Sequence, residues 1–450
     1  MKRKIYSRML EWKKTDQGTS CLLIQGARRV GKSYIAEEFA GKEYKSYILI
    51  DFNKAGQKVR DLFLDDLNDL ETFFLKLSAE YNTKLYPRES VIILDEVQLY
   101  PRARSALKYL VADGRYDYIE TGSLISIKKN VENILLPSEE EQVNMYPMDF
   151  EEFLWALEND TMMPLIRACF DDKKELGQAL HRKAMNLFRQ YMIIGGMPQV
   201  VSEFAQSRNL EKTDRIKRRI LQLYRDDIHK HGGTQMMRIE GIYDEIPSQL
   251  RNQKRHFKLS AVEEGARFSE FRDPLFWLAD AMIVNNCYNS TEPSVGLKMN
   301  QDRTLLKCYM GDTGLLISHA FDENGIVSEE VYRKLLMDKL EVNMGMIVEN
   351  VVAQMLVCSG HKLYFYANSD QTNKENRMEI DFLISKKTIT NRHNISPIEV
   401  KSSRNYTLSS LRKFIAKYDE QLHIPYVIHS GDLKTEEGMT FIPLYMASLI

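Results

Sequence analysis

Cysteine is scarce and scattered. Cys21, Cys169, Cys287, Cys308 and Cys358 are the only five in 450 residues, and no two form a Cys-x-x-Cys pair. That argues against a disulfide-stapled scaffold and a zinc ribbon, and it fits a reducing compartment. Long apolar runs are missing, and none approaches the ~18 residues of a membrane span. The opening Met1-Lys-Arg-Lys-Ile-Tyr-Ser has no apolar core behind its positive charge, unlike a secretory signal, so a cytoplasmic location is expected. No sign of charge dominates, because 62 Lys and Arg meet 63 Asp and Glu for a net of −1. Any nucleic-acid surface must therefore be local. The nine histidines show no convincing metal spacing; His229-Lys-His231 comes nearest. There is no internal repeat or low-complexity tract. What is present is the composition of a globular protein, 44% apolar and 28% charged, at a length that suggests roughly two to four domains.

The most informative stretch is Gly26-Ala-Arg-Arg-Val-Gly31-Lys32-Ser33. It matches G-x-x-x-x-G-K-[ST] and sits between a strand-like run, 21–25, and a helix-like run, 33–40. Glycines let main-chain N–H groups curl around phosphate oxygens, and the helix N-terminus adds partial positive charge. The cradle for ATP is expected from Gly26, Arg28, Arg29, Val30, Gly31, Lys32 and Ser33. Lys32 is expected to reach the β- and γ-phosphates, and Ser33 to hold Mg²⁺. Arg28 and Arg29 either touch phosphate or face solvent.

Strand-like runs at 21–25, 47–52, 91–95 and 116–120 alternate with helix-like stretches at 33–40, 69–81 and 102–113. This is the pattern of a parallel sheet covered by helices on both faces. Val91-Ile-Ile-Leu-Asp95-Glu96 has the form of a Walker B strand, which carries an acid pair to the sheet's carboxyl edge. Asp95 is expected to hold Mg²⁺, and Glu96 to act as general base on the attacking water. Thr121 or Ser123, in Thr121-Gly-Ser123, offers a hydroxyl to sense the γ-phosphate. Arg225 is a weak candidate for an arginine finger, with a surface ion pair as the plain alternative.

Residues 160–232 read as mostly helical, broken at Gly195-Gly196-Met-Pro198. Residues 212–258 hold twelve Lys or Arg against six Asp or Glu. That is either a DNA-facing patch or an ordinary solvated face. Helix-like segments at 241–257, 259–265 and 270–285, then strand-like runs at 282–287 and 305–310, have the order of a winged helix.

A second constellation lies near the C-terminus. Met378-Glu-Ile-Asp381-Phe-Leu-Ile384 and Ile398-Glu399-Val-Lys401 read as strands, and Asp–x17–Glu-x-Lys is the pattern of a PD-(D/E)XK nuclease core. Alternation puts Glu399 and Lys401 on one face, and Asp381 from the paired strand can meet Glu399 around a hard cation. Lys401 is then placed to orient a metal-activated water. Glu349, on an amphipathic-looking helix at 345–356, is either an accessory metal ligand or solvent-exposed. Ile380 stands where the pattern usually has proline.

These motifs together resemble a family of prokaryotic ATPases that join an AAA-like P-loop domain to a C-terminal domain related to PD-(D/E)XK nucleases. The resemblance is carried by Gly26–Ser33, Leu94-Asp-Glu-Val-Gln98, Thr121–Ser123, Gly195–Pro198, Asp312-Thr-Gly-Leu315, Gly345–Asn350, Glu379–Asp381 and Ile398–Lys401. It implies a sheet in which the sensor strand lies between the P-loop and Walker B strands, followed by a winged-helix-like middle. The expected class is therefore α/β and multi-domain. A P-loop domain spans 1–158, a helical region 159–235, a winged-helix-like domain 236–325 and a nuclease-like α/β domain 326–450. ATP, Mg²⁺ and DNA are the expected ligands. The alternative is an ATP-dependent switch or docking module with an inactive nuclease-like scaffold.

Overall fold

The structure is a computed structural model that describes residues 1–123, 139–251, 256–321, 328–336, 344–368, 376–386, 388, 392–403 and 405–450. Residues 252–255 of the expected helix 241–257, and the expected boundary between 325 and 326, lie outside the described residues. The chain divides into two compact units. One is Met1–Tyr146 with Asp280–Met282, and the other is Pro147–Ala279 with Ile283–Ile450.

The first unit holds a parallel five-stranded sheet. Its strands are β1 (Cys21–Gly26), β2 (Ser46–Asp51), β3 (Ser90–Asp95), β4 (Asp117–Gly122) and β5 (Glu140–Met145). They lie in the order β2-β3-β4-β1-β5, so the sensor strand β4 does sit between the Walker B strand β3 and the P-loop strand β1. Period-two alternation sorts the side chains. Leu22, Ile24, Val91, Ile93 and Ile119 pack with α1 (Ile5–Asp16) and α2 (Lys32–Glu43). Cys21, Ile92, Leu94 and Tyr118 point the other way, into the cluster built by α3 (Gln57–Asp65), α4 (Leu70–Glu80) and α5 (Pro101–Asp113). Continuing that alternation carries Asp95 and Thr121 to the α2 face and Glu120 to the α5 face. Strand β5 is absent from the sequence expectation. It is an edge strand with mostly half-exposed polar residues, so no apolar run announces it.

The second unit begins with helices at Phe150–Ala156, Met162–Asp171, Gln178–Ile194, Pro198–Ser207 and Leu210–His231. Its sheet is mixed and eight-stranded, in the order β12-β13-β11-β10-β9-β8-β6-β7. The strands are β6 (Val284–Ser290), β7 (Gln301–Met310), β8 (Tyr364–Asn368), β9 (Met378–Ser385), β10 (Ile395–Val400), β11 (Tyr426–His429), β12 (Lys434–Glu436) and β13 (Met439–Pro443). The strand pair expected as a wing is present as β6 and β7, but it does not stand apart. Strand β6 also pairs in parallel with β8 through Tyr288–Tyr364 and Asn289–Phe365. The apolar residues Cys287, Leu306, Cys308, Tyr309 and Met310 are buried in that larger sheet. One sheet thus joins residues expected to fall in two domains, 236–325 and 326–450.

The helix Met344–Cys358 also differs from expectation. Met346–Leu356 is buried on every side except at Glu349, so the helix runs through the core rather than along its surface. It is tied in by Asn350, whose Oδ1 accepts from Met310 N at 2.8 Å, and by Gln354, whose Oε1 accepts from Thr313 N at 2.8 Å. The glycine motif is explained by close approach. Asp312 Oδ2 accepts from Gly196 N at 2.6 Å, and a Cβ on Gly196 would overlap the Met148 carbonyl. A Cβ on Gly314 would overlap the Ile194 carbonyl. The Gly195-Gly196 turn is therefore held by the Asp312 side chain and packed against the main chain at Gly314.

Candidate functional site

Strand β1 ends at Gly26, and α2 begins at Lys32 with Gly31 as its N-cap at φ 98°. That left-handed conformation favours glycine. A Cβ on Gly26 would overlap the Met145 carbonyl and lie 2.9 Å from Val30 Cγ1, so the tight wrap of the loop depends on hydrogen at this position. Val30 is buried beneath the loop, whereas Arg28 and Arg29 are exposed, and Arg29 adopts φ 69°. The Lys32 side chain is buried and folds back over the loop, with Nζ donating to Gly26 O at 3.0 Å and Ala27 O at 3.1 Å.

Asp95 comes to the same place. Its Oδ1 accepts from Ser33 Oγ at 2.7 Å and from the Thr121 hydroxyl. The hydroxyl–carboxylate pair at the start of α2 is the donor set that a phosphate-bound divalent cation uses in P-loop proteins. The residues therefore fit a nucleotide with Mg²⁺. Thr121 lies against Asp95, and Ser123 lies just past the end of β4. Glu96 follows in a left-handed conformation, φ 53°, and its side chain makes no cap bond to the next 3₁₀ turn. Its Oε2 instead accepts from Gln98 Nε2.

On the opposite face of β4, Glu120 is fully buried beside Arg104, at 3.5 Å, and Arg104 also holds Glu140 at 2.7 Å. Burial pushes the Glu120 pKa up to about 8; the Glu140 charge adds to this and Arg104 opposes it. Nothing in the sequence pointed to this cluster, apart from an acid in the middle of an apolar strand.

In the second unit, the register pairs Ile395 with Ser385 and Ile398 with Phe382. One further step sets Glu399 opposite Asp381. Asp381 Oδ2 accepts from Val400 N at 2.8 Å, and Lys401 Nζ donates to Glu399 Oε1 at 2.7 Å. Asp381 and Glu399 are both held above the ordinary carboxyl range, chiefly by burial. For Asp381 the charges of Glu399 and Glu349 add to the effect. Glu349 is brought in as well, but through a residue the sequence reading missed. Lys307 Nζ lies 3.0 Å from Glu349 Oε1, 3.4 Å from Glu379 Oε1 and 3.9 Å from Asp381 Oδ1. Burial works against the Lys307 ammonium, but the surrounding carboxylates outweigh it and raise its pKa. A lone lysine inside the apolar run Leu305-Leu-Lys307-Cys-Tyr-Met310 was the available signal.

At least four of the twelve Lys and Arg at 212–258 are engaged by other residues of the chain. Lys217 is buried, donating to Ile193 O at 3.1 Å and Tyr332 OH at 2.8 Å. Arg218 pairs with Asp214 at 2.8 Å and Arg238 with Glu263 at 3.1 Å. Arg225 pairs with Asp244 at 2.7 Å, which is the ion-pair alternative to an arginine finger.

Residues 19–154 match the family described as an AAA domain. This part of the chain resembles an AAA domain. Nucleotide binding goes with that likeness. Beyond the AAA-like domain, residues 185–324 match a domain of unknown function (DUF8612), and residues 344–447 match another (DUF4143). No curated protein matches the chain. Similar solved structures include the PCH-2 protein of C. elegans, 12% identical, over 37% of this chain and 44% of that one, with a TM-score of 0.20. The chain thus spans less than half of the PCH-2 chain. The RuvB Holliday junction branch migration motor of Thermotoga maritima is 12% identical, over 74% of this chain and 95% of its own, with a TM-score of 0.31. A single-substitution variant of that RuvB is 13% identical, over 75% and 94%, with a TM-score of 0.30. No described helix is long and apolar enough to cross a membrane.

Proposed function

We propose that the chain binds and hydrolyses ATP with Mg²⁺ at Gly26–Ser33, Asp95 and Glu96. In this reading it works as a nucleotide-driven switch whose C-terminal, nuclease-like part docks a partner without cutting it. The observation that carries the reading is the Ser33–Asp95 contact at 2.7 Å, at the mouth of a glycine-tight loop. The main-chain amides of residues 27–33 bind the phosphates, with Val30 buried to hold the loop's curve. Lys32 leaves the Gly26 and Ala27 carbonyls to pair with the β- and γ-phosphates. Ser33 and Asp95 would hold the metal, and Thr121 keeps Asp95 oriented. Magnesium, when bound, neutralises charge that develops on the phosphates. Glu96, held by Gln98, accepts the proton of the attacking water. Arg28, Arg29 and Ser123 border the site and tune it.

The test is nucleotide binding and phosphate release by the full chain. Lys32→Ala is expected to lose both, whereas Glu96→Gln keeps binding and loses turnover. Equal turnover by wild type and Lys32→Ala would reject the reading.

A second reading, an Mg²⁺-dependent nuclease acting on DNA, draws on the convergence of Asp381, Glu399, Lys401 and Glu349. Cleavage of DNA with Mg²⁺ or Mn²⁺ that Asp381→Ala abolishes would favour it over the switch.

A further inference from the structure

In an acidic cluster of the PD-(D/E)XK kind, the carboxylates need a counter-charge, because buried like charges without one are costly. Here the chain supplies that charge itself. Lys307 reaches in from β7 with its side chain only 8% exposed, and its ammonium lies within 4.0 Å of Glu349, Glu379 and Asp381. We propose that Lys307 is the built-in cation of this cluster and stands in the place of a divalent metal. The nuclease-like part then keeps its shape without Mg²⁺ and does not cut. This deepens the non-cutting half of the proposed function and rests on that half alone; ATP binding plays no part in it.

One oxygen of each of three carboxylates is already engaged, whereas Glu399 Oε2 is buried with no hydrogen-bond partner. Glu349 Oε1 accepts from both Lys307 and Tyr309, Asp381 Oδ2 from Val400 N, and Glu399 Oε1 from Lys401. A divalent ion needs oxygens at about 2.0–2.6 Å, and that would bring it close against the Lys307 ammonium. With the Lys307 ammonium held against Glu349, Glu379 and Asp381, a divalent ion shared by Asp381 and Glu399 would meet a like charge.

The experiment is Mn²⁺ binding to the nucleotide-free full chain, read from the electron paramagnetic resonance signal of unbound Mn²⁺. Wild type is expected to bind no more Mn²⁺ than Asp381→Asn. Lys307→Met is expected to gain one site, at least tenfold tighter than any in wild type, and Asp381→Asn in the same chain removes it. Lys307→Arg, which keeps the charge, gains none. A wild-type site lost in Asp381→Asn would overturn the proposal, and so would a folded Lys307→Met that gains nothing. Should Lys307→Met fail to fold, the comparison of wild type with Asp381→Asn decides alone. Failure here leaves ATP turnover by wild type and Lys32→Ala untouched, so the two readings fall separately.

Discussion

Replacing Glu120 by glutamine is expected to remove a pH-dependent weakness from the AAA-like domain. Glu120 is 0% exposed, and it shares the Arg104 guanidinium with Glu140. Two carboxyls facing one buried cation are neutral only if one of them keeps a proton. Burial, and then the Glu140 charge, push the Glu120 pKa from 4.5 to about 8. Between those values the unfolded chain releases a proton that the folded chain retains, so stability falls as pH rises, by about 1.4 kcal/mol per pH unit. From about pH 5.5 to about pH 7.5 the loss is roughly 2–3 kcal/mol. For a unit of this size that is roughly 5–10 °C in Tm. Glutamine does not ionise, keeps an acceptor near Cys21 Sγ (now 3.4 Å from Glu120 Oε1), and leaves the Arg104–Glu140 pair intact. Melting of the nucleotide-free full chain should be followed at several pH values, reading the transition that ATP shifts. Glu120→Gln should gain on wild type steadily as pH rises. Parallel curves, or a gap that closes with pH, would refute the reasoning.

Gly196→Ala places a methyl against the Met148 main chain, which cannot rotate away. It should cost about 3 kcal/mol or more of the second unit's stability, as steric clashes in cores do. Denaturant unfolding that moves by less than about 1 kcal/mol contradicts this. Asp312→Ala strands the Gly196 and Leu315 amides, at 2.6 and 2.9 Å from its carboxylate, and should cost about 2–4 kcal/mol in the same assay. Glu96→Gln should lower ATP turnover by roughly 10²–10⁴ at unchanged affinity, the usual worth of a general base. A variant that turns over normally would remove Glu96 from the chemistry.

Much of the proposed ATP site was legible because its determinants are local. A buried strand, a glycine turn and a helix start occupy consecutive residues from Cys21 to Ser33, and the physics of an anion at a helix N-terminus acts within that span. Asp95 was legible for a related reason. A fully buried strand ending in Asp-Glu must deliver the acids to the sheet's carboxyl edge. The edge strand β5 was not legible, because a half-exposed strand needs no apolar pattern. Glu349 showed on paper as a residue of an amphipathic helix, yet that helix is buried on nearly every side. Its neighbours come from β7 and the helix Gln178–Ile194, distant in sequence.

Sequence alone determined the phosphate loop, the Walker B acids and the Asp381–Glu399–Lys401 pattern, since short-range periodicity and turn chemistry dictate each. Only the tertiary structure decided what surrounds them. It joined β6 and β7 to the larger sheet, set Glu120 against Arg104 and Glu140, and drove the Lys307 ammonium among the carboxylates of Glu349, Glu379 and Asp381. Those outcomes depend on strand pairing and burial between segments far apart in the chain, and such long-range choices leave no periodic trace in the segments themselves.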